Sequence, residues 1–206
     1  MAASGGRRQA QAAQTRREIV LAARRLFASG GYRSTTIKDV AAAAGVSVQT
    51  VYDSVGAKRD LVLALNDLID DEAGVAAIAA RAATERDPAA LLAVPAAVTR
   101  ALLEHCGDII RAGLAAAGED AELAAAATEG HRRHLAGAAR LAGRLAELGA
   151  IPTGTTDLVA GTVAAITDST FGVMLLDHYG WSLDRVEAFM AATARGTVLG
   201  DQGGPG

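Results

Sequence analysis

The chain has 206 residues, half of them apolar and only 3% aromatic, which suits one compact domain or a small domain joined to a larger one, with a real core. A single cysteine, Cys106, excludes an internal disulfide framework. The longest apolar stretch, 158–176, is interrupted by Asp168, and the basic N-terminus has no apolar segment behind it, so a cytoplasmic protein with no membrane partner is expected. The net charge of −3 hides an asymmetry, ten Lys/Arg against four Asp/Glu in residues 1–60 and ten against nineteen in 61–206, which reads as a basic head facing a polyanion or as a basic tail that aids solubility.

Residues 1–14 are small, polar and aperiodic and read as a disordered basic arm. From Thr15, apolar residues fall at Ile19, Val20, Ala23, Leu26 and Phe27, one face of a helix that Gly30-Gly31 ends. Thr36, with Asp39 three residues on, opens a second helix with Ile37, Val40, Ala41 and Ala44 inward. Gly45 stops it, and Ser47 caps a third short helix whose inner face holds Val48, Val51, Tyr52 and Val55. Gly56 separates that helix from a longer one that begins near Lys58. Further helices are expected over 72–84, 88–106, 107–117, 119–149, 155–178 and 183–199, with breaks at Pro88, Gly107, Gly118, Gly149–Thr155 and Gly180. The fold class is all-α. An N-terminal three-helix domain (15–60) with a helix-turn-helix precedes a larger helical-bundle domain (61–200) and a flexible tail (201–206).

The segment "AGVSVQTVYDS" carries the chemistry. A short helix placed second in a helix-turn-helix fits the major groove, where base edges present distinct donor and acceptor patterns. Its start and outer face offer Ser47, Gln49, Thr50, Asp53 and Ser54. Gln can read adenine bidentately, and Thr can meet a thymine methyl. Tyr52 is placed for a phosphate, and Lys58 and Thr36 open helices whose N-termini favour anions. The plainer reading makes Ser47 and Thr36 only caps, Tyr52 only core and Lys58 only solvated. Their coincidence in one basic segment favours DNA.

Residues Thr15–Leu65, with "LFASGGYRSTT", "DVAAAAGVSVQTVY" and "KRDLV", resemble the DNA-binding domain of the tetracycline-repressor (TetR) family of bacterial transcription regulators. The closing "HYGWSLDRVEAFMAATARG" resembles that family's final hairpin more loosely. The resemblance implies an all-α homodimer that binds double-stranded operator DNA, with two heads in successive major grooves of a palindrome roughly 34–36 Å apart. It implies a small-molecule effector whose binding moves the fourth helix and releases DNA. Carried over residue by residue, the DNA contacts fall on Thr35 or Thr36, Ser47, Val48, Gln49, Thr50, Tyr52 and Lys58. The family has an aromatic residue where Val55 stands and a capping residue where Ala57 stands. The missing cap is worth about 1 kcal/mol, so a looser start to the fourth helix is expected.

Ligand candidates in the body are His105, Cys106, Ile109, Ile110, His134, Thr167 and Phe171, polar or bulky groups on apolar helices. Asp168, a carboxylate in an apolar stretch, needs a partner from a ligand or a second copy. His131 and His134 could hold a metal, but no third ligand is evident, so no metal or cofactor is expected. The terminal hairpin either completes the protomer's core or meets a second copy through Leu158, Val159, Thr162, Val163, Ile166, Thr170, Met174, Val186, Phe189 and Met190. P-loop, G-x-S-x-G and H-E-x-x-H signatures are missing, and a non-enzymatic protein is expected. The expected function is a ligand-responsive repressor. The alternatives are a sequence-indifferent DNA-organising protein, against which the acidic body argues, and a small-molecule-binding helical protein with a vestigial head.

Overall fold

A computed structural model of the chain describes residues 3–116 and 121–200. All regular structure among the described residues is helical: α1 (Ala3–Gly30), α2 (Ile37–Ala44), α3 (Val48–Ser54), α4 (Lys58–Glu72), α5 (Val75–Thr84), α6 (Pro88–Ala116), α7 (Ala121–Glu147), a 3-10 turn (Thr153–Thr155), α8 (Thr156–Ile166), α9 (Ser169–Asp177) and α10 (Leu183–Leu199). The chain forms two compact units. One comprises residues 1–68 and 111–127, the other 69–110 and 128–206. The expected flexible tail, 201–206, and the expected break at Gly118 lie outside the described residues.

In the first unit, Ile19, Val20, Ala23 and Phe27 of α1 are buried with Val40 and Ala41 of α2, Val51 of α3, and Leu61 and Leu65 of α4. The Phe27 and Tyr32 rings meet edge to face at 5.3 Å between centroids, a geometry that matches positive ring edge to negative ring face. Local chemistry sets each boundary. Thr36 and Asp39 form a reciprocal capping box at the start of α2, and Gly45, at φ 68°, closes it. The Ser47 hydroxyl accepts the Thr50 N–H at 3.0 Å to start α3.

Two expectations fail here. α1 begins at Ala3, not after a disordered arm ending at Gln14. Alanine, glutamine and arginine are good helix formers, and a stretch exposed on every side leaves no apolar stripe to read. The first unit also runs past residue 60, because Leu61, Val62, Ala64, Leu65 and Leu68 of α4 are buried.

The second unit is built on Leu91, Leu92, Leu141, Leu145, Ile151 and Val163, with Ala96, Leu175, Val186 and Met190 forming an adjoining cluster. At Gly172 a Cβ would stand 2.6 Å from Leu103 Cδ1, so α9 meets α6 closely where only hydrogen fits. Arg100 on α6 reaches α10 through Asp184 at 2.5 Å and Glu187 at 3.5 Å.

Gly107 does not end a helix, and α6 continues to Ala116. A mid-helix glycine costs only about 1 kcal/mol, which burial readily offsets. The single helix expected over 155–178 is two, parted at Thr167-Asp168. The segments Pro88–Arg111 and Thr153–Asp177 are long and apolar enough to cross a bilayer by composition. Both supply buried residues to this unit's core, and the polar Thr167-Asp168 break interrupts the second.

Candidate nucleic-acid interface

α3 has seven residues, and within it only Val51 is buried. Val48 is 40% exposed and Tyr52 49%, so neither belongs to the inner face assigned to them. On a helix this short the inward arc is narrow, and one valine fills it. The outcome enlarges the outward face to Val48, Gln49, Tyr52 and Asp53, flanked by the Ser47 cap. That face combines a methyl-bearing surface, an amide, a phenol and a carboxylate. Gln49 Nε2 donates to Asp53 Oδ1 at 2.8 Å, which holds the amide extended along the helix surface. The Ser47 and Thr50 hydroxyls lie 2.8 Å apart.

The pair Thr35 and Thr36 divides. Thr35 is buried, and its hydroxyl donates to the Gly31 carbonyl at 2.9 Å, so it secures the connector and cannot reach a ligand. Thr36 is exposed at the start of α2. Its hydroxyl and backbone N–H both donate to Asp39 Oδ2, at 2.6 and 2.8 Å. These two bonds, the hydroxyl's first, hold the Asp39 carboxyl below the usual carboxylate range.

Lys58 is held over the connector. Its ammonium lies 4.0 Å above the centre of the Tyr32 ring and donates to the Arg33 carbonyl at 3.4 Å. The charge is thereby fixed beside the start of α4 and is not carried on a free stem. Arg16 Nη1 donates to the Ser54 carbonyl at 2.8 Å, which ties the end of α3 to α1.

Asp60 supplies what Ala57 lacks, since its carboxylate accepts the Ala57 N–H at 2.8 Å. The start of α4 is therefore capped, contrary to the looser start expected from Ala57. The signal was an acid three residues later, the second half of a capping box. Gly56, at φ 114°, is needed for this, because a Cβ there would sit 2.4 Å from Asp60 Oδ2.

In the second unit, the structure joins two of the ligand candidates. His134 Nε2 lies 3.0 Å from the Ala164 carbonyl and 3.2 Å from the Thr167 hydroxyl. Thr167 donates to the Val163 carbonyl at 2.8 Å, and Thr99 donates to the Thr167 carbonyl at 2.6 Å. These groups satisfy one another across the α8–α9 break. Thr99 was not singled out from sequence, since one threonine in an apolar helix carries no signal. Asp168 finds its partners within the same unit. It caps α9 by accepting the Thr170 N–H at 2.7 Å, and its other oxygen lies 3.2 Å from His131 Nε2.

The remaining ligand candidates differ in exposure. His105 is exposed, whereas its neighbour Cys106 is fully buried, with Sγ 4.0 Å from the Ile69 carbonyl. Ile109 and Ile110 are half-buried. Phe171 is half-buried, 6.2 Å from Phe189 in an aromatic group that Trp181 extends. Among the described residues no three His, Cys, Asp or Glu side chains are grouped to hold a metal.

The residues assigned to a second copy also divide. Val159, Val163, Val186 and Met190 are buried inside the protomer and have no surface to offer a partner. They occupy the inward arcs of α8 and α10, which a purely apolar stretch does not reveal. Leu158 at 72% exposure, Met174, Phe189 and Thr170 face outward, and Thr162 and Ile166 lie at the margin.

The model of the family described as bacterial regulatory proteins, tetR family, matches residues 19–65, the segment that builds this capped, outward-facing α3. Over residues 19–65 the chain is thus similar to the tetR family of bacterial regulatory proteins. Solved structures of tetR-family regulators share its fold along nearly the whole chain. One from Syntrophomonas wolfei superposes with a TM-score of 0.79 at 16% identity, covering 93% of this chain and 98% of its own. Another from Mesorhizobium loti gives 0.67 at 26% identity, covering 89% and 95%. The regulator FadR of Bacillus subtilis, solved with stearoyl-CoA, gives 0.70 at 19% identity, covering 89% and 97%. No curated protein sequence matches the chain.

Proposed function

We propose that this protein is a one-component repressor of the tetR family that binds a palindromic operator as a homodimer and leaves it when a small molecule enters the second unit. The observation that carries the reading is the outward face of α3. Val48, Gln49, Tyr52 and Asp53 are exposed on a helix whose start is fixed by Ser47, within a head of net positive charge. Gln49, Thr50 and Val48 supply base-edge contacts, while Tyr52, Thr36 and Lys58 supply phosphate contacts. The exposed Leu158, Met174 and Phe189 support a second copy as the occupant of the α8, α9 and α10 surface. A small-molecule effector is supported by the stearoyl-CoA held by the B. subtilis neighbour. Its chemistry here is set by this chain's own side chains.

Selection of random duplexes on the purified protein, followed by anisotropy at several salt concentrations, tests the reading. A palindrome with a large gain over random DNA is expected. Binding that ignores sequence and vanishes at physiological salt would overturn it.

A further inference from the structure

The described chain opens with a helical stretch that the head does not need. From residue 6 onward the first buried residue of α1 is Ile19, which is also where the family match begins. Before it, residues 6–14 are exposed on every side, yet they continue α1 as helix. Such a helix has no apolar face to bury and gains nothing from packing. Residues 3–17 contain Arg7, Arg8, Arg16 and Arg17 and no Asp or Glu. Arg16 is engaged with the Ser54 carbonyl, whereas Arg7 and Arg8 lie exposed and make no ion pair among the described residues. An acid-free, unpacked helical stretch carrying a pair of exposed arginines complements a polyanion.

We propose that this arm, through Arg7 and Arg8, grips the phosphate backbone of duplex DNA outside the bases that α3 reads. The proposal rests on the reading of the head as an operator-binding domain. About 18 Å of helix separates Arg7 from Ile19, the length of roughly five base pairs. The arm thus lengthens the footprint without adding base preference, because phosphate contacts position and do not specify. It makes the outer part of the contact strongly salt-dependent.

The test uses the full chain and the palindrome that the wild type selects, in one duplex with long flanks and in one trimmed to the selected bases. Anisotropy is read over a salt series for the wild type, for Arg7→Ala/Arg8→Ala and for Arg7→Lys/Arg8→Lys. On the long duplex the alanine variant should lose salt slope by about 3 to 4, four arginines per dimer at roughly 0.9 each. Its selected sequence should not change, and the lysine variant should keep the wild-type slope. On the trimmed duplex the variants should bind alike. Equal slopes for the wild type and the alanine variant on the long duplex would overturn the proposal. An equal loss on both duplexes would overturn it too, since the arginines would then act within the head. A wild type that selects no sequence would instead overturn the reading of the head, and the arm's role with it.

Discussion

Replacing Gly56 by alanine tests how the start of α4 is held. Gly56 has φ 114°, which an L side chain rarely adopts, and its new Cβ would lie 2.4 Å from Asp60 Oδ2, the oxygen that accepts the Ala57 N–H. The backbone strain costs about 1–3 kcal/mol. Displacing the carboxylate forfeits a cap worth about 1 kcal/mol. Gly56→Ala should therefore destabilise by roughly 2–4 kcal/mol, read as a lower urea midpoint at fixed protein concentration. Asp60→Ala alone should cost about 1 kcal/mol. In the double variant the two effects should not add, because the carboxylate displaced by the first change is already gone, leaving a coupling of about 1 kcal/mol. Full additivity would refute the claim that Gly56 acts through Asp60. A loss below about 0.5 kcal/mol for Gly56→Ala would refute the strain as well.

Thr99→Val removes the donor to the Thr167 carbonyl inside the second unit, and should cost about 1–3 kcal/mol in urea unfolding, the penalty of a buried acceptor left unpaired. Gln49→Ala should relax base preference at one operator position by roughly 1–3 kcal/mol while leaving the salt slope unchanged, as a repeated selection would reveal. Leu158→Glu should shift the sedimenting species from dimer to monomer, and an intact dimer would remove this surface from the interface. Glu129 accepts from Arg132 and Arg133 and is held at a pKa of about 2, against 4.5 for a free carboxyl. Its folded value lies below its unfolded one, so its stabilisation is complete above about pH 4.5 and is lost as the pH falls towards 2. The wild type should accordingly lose more stability than Glu129→Gln over that window in acid titrations of the thermal midpoint.

The head was legible because each of its boundaries is written in a few adjacent residues. Thr36 with Asp39, Gly45, and Ser47 each act over one helical turn, and the structure uses each as a cap or stop. The α8–α9 break was not legible, although it too is local. Asp168 is a helix cap, but flanking apolar residues keep helical spacing through it, so the carboxylate read as in need of a partner from a ligand or a second copy. The opposite error arose at Gly107, where a residue that often ends helices sits inside α6. For the site, the outward side chains of α3 were legible, but Val48 and Tyr52 were placed on the inner face as well as among the DNA contacts. Periodicity is poorly determined over two turns. Thr35 and Thr36 differ by one residue and by whether a hydroxyl meets the Gly31 carbonyl or the exposed Asp39 carboxylate. Only the path of the connector decides that.

Trp181 is the chain's one tryptophan. It stands edge-on to Phe189 at 5.3 Å with the Arg185 guanidinium 4.1 Å over its ring. Every photon of indole emission therefore originates at the turn between α9 and α10. A change in the polarity or packing of that corner, whether from a second protomer, a small molecule or acid, becomes visible as a shift in emission wavelength. The protein carries a built-in optical gauge at the edge of its exposed apolar face, and no dye or engineered label is required to read it.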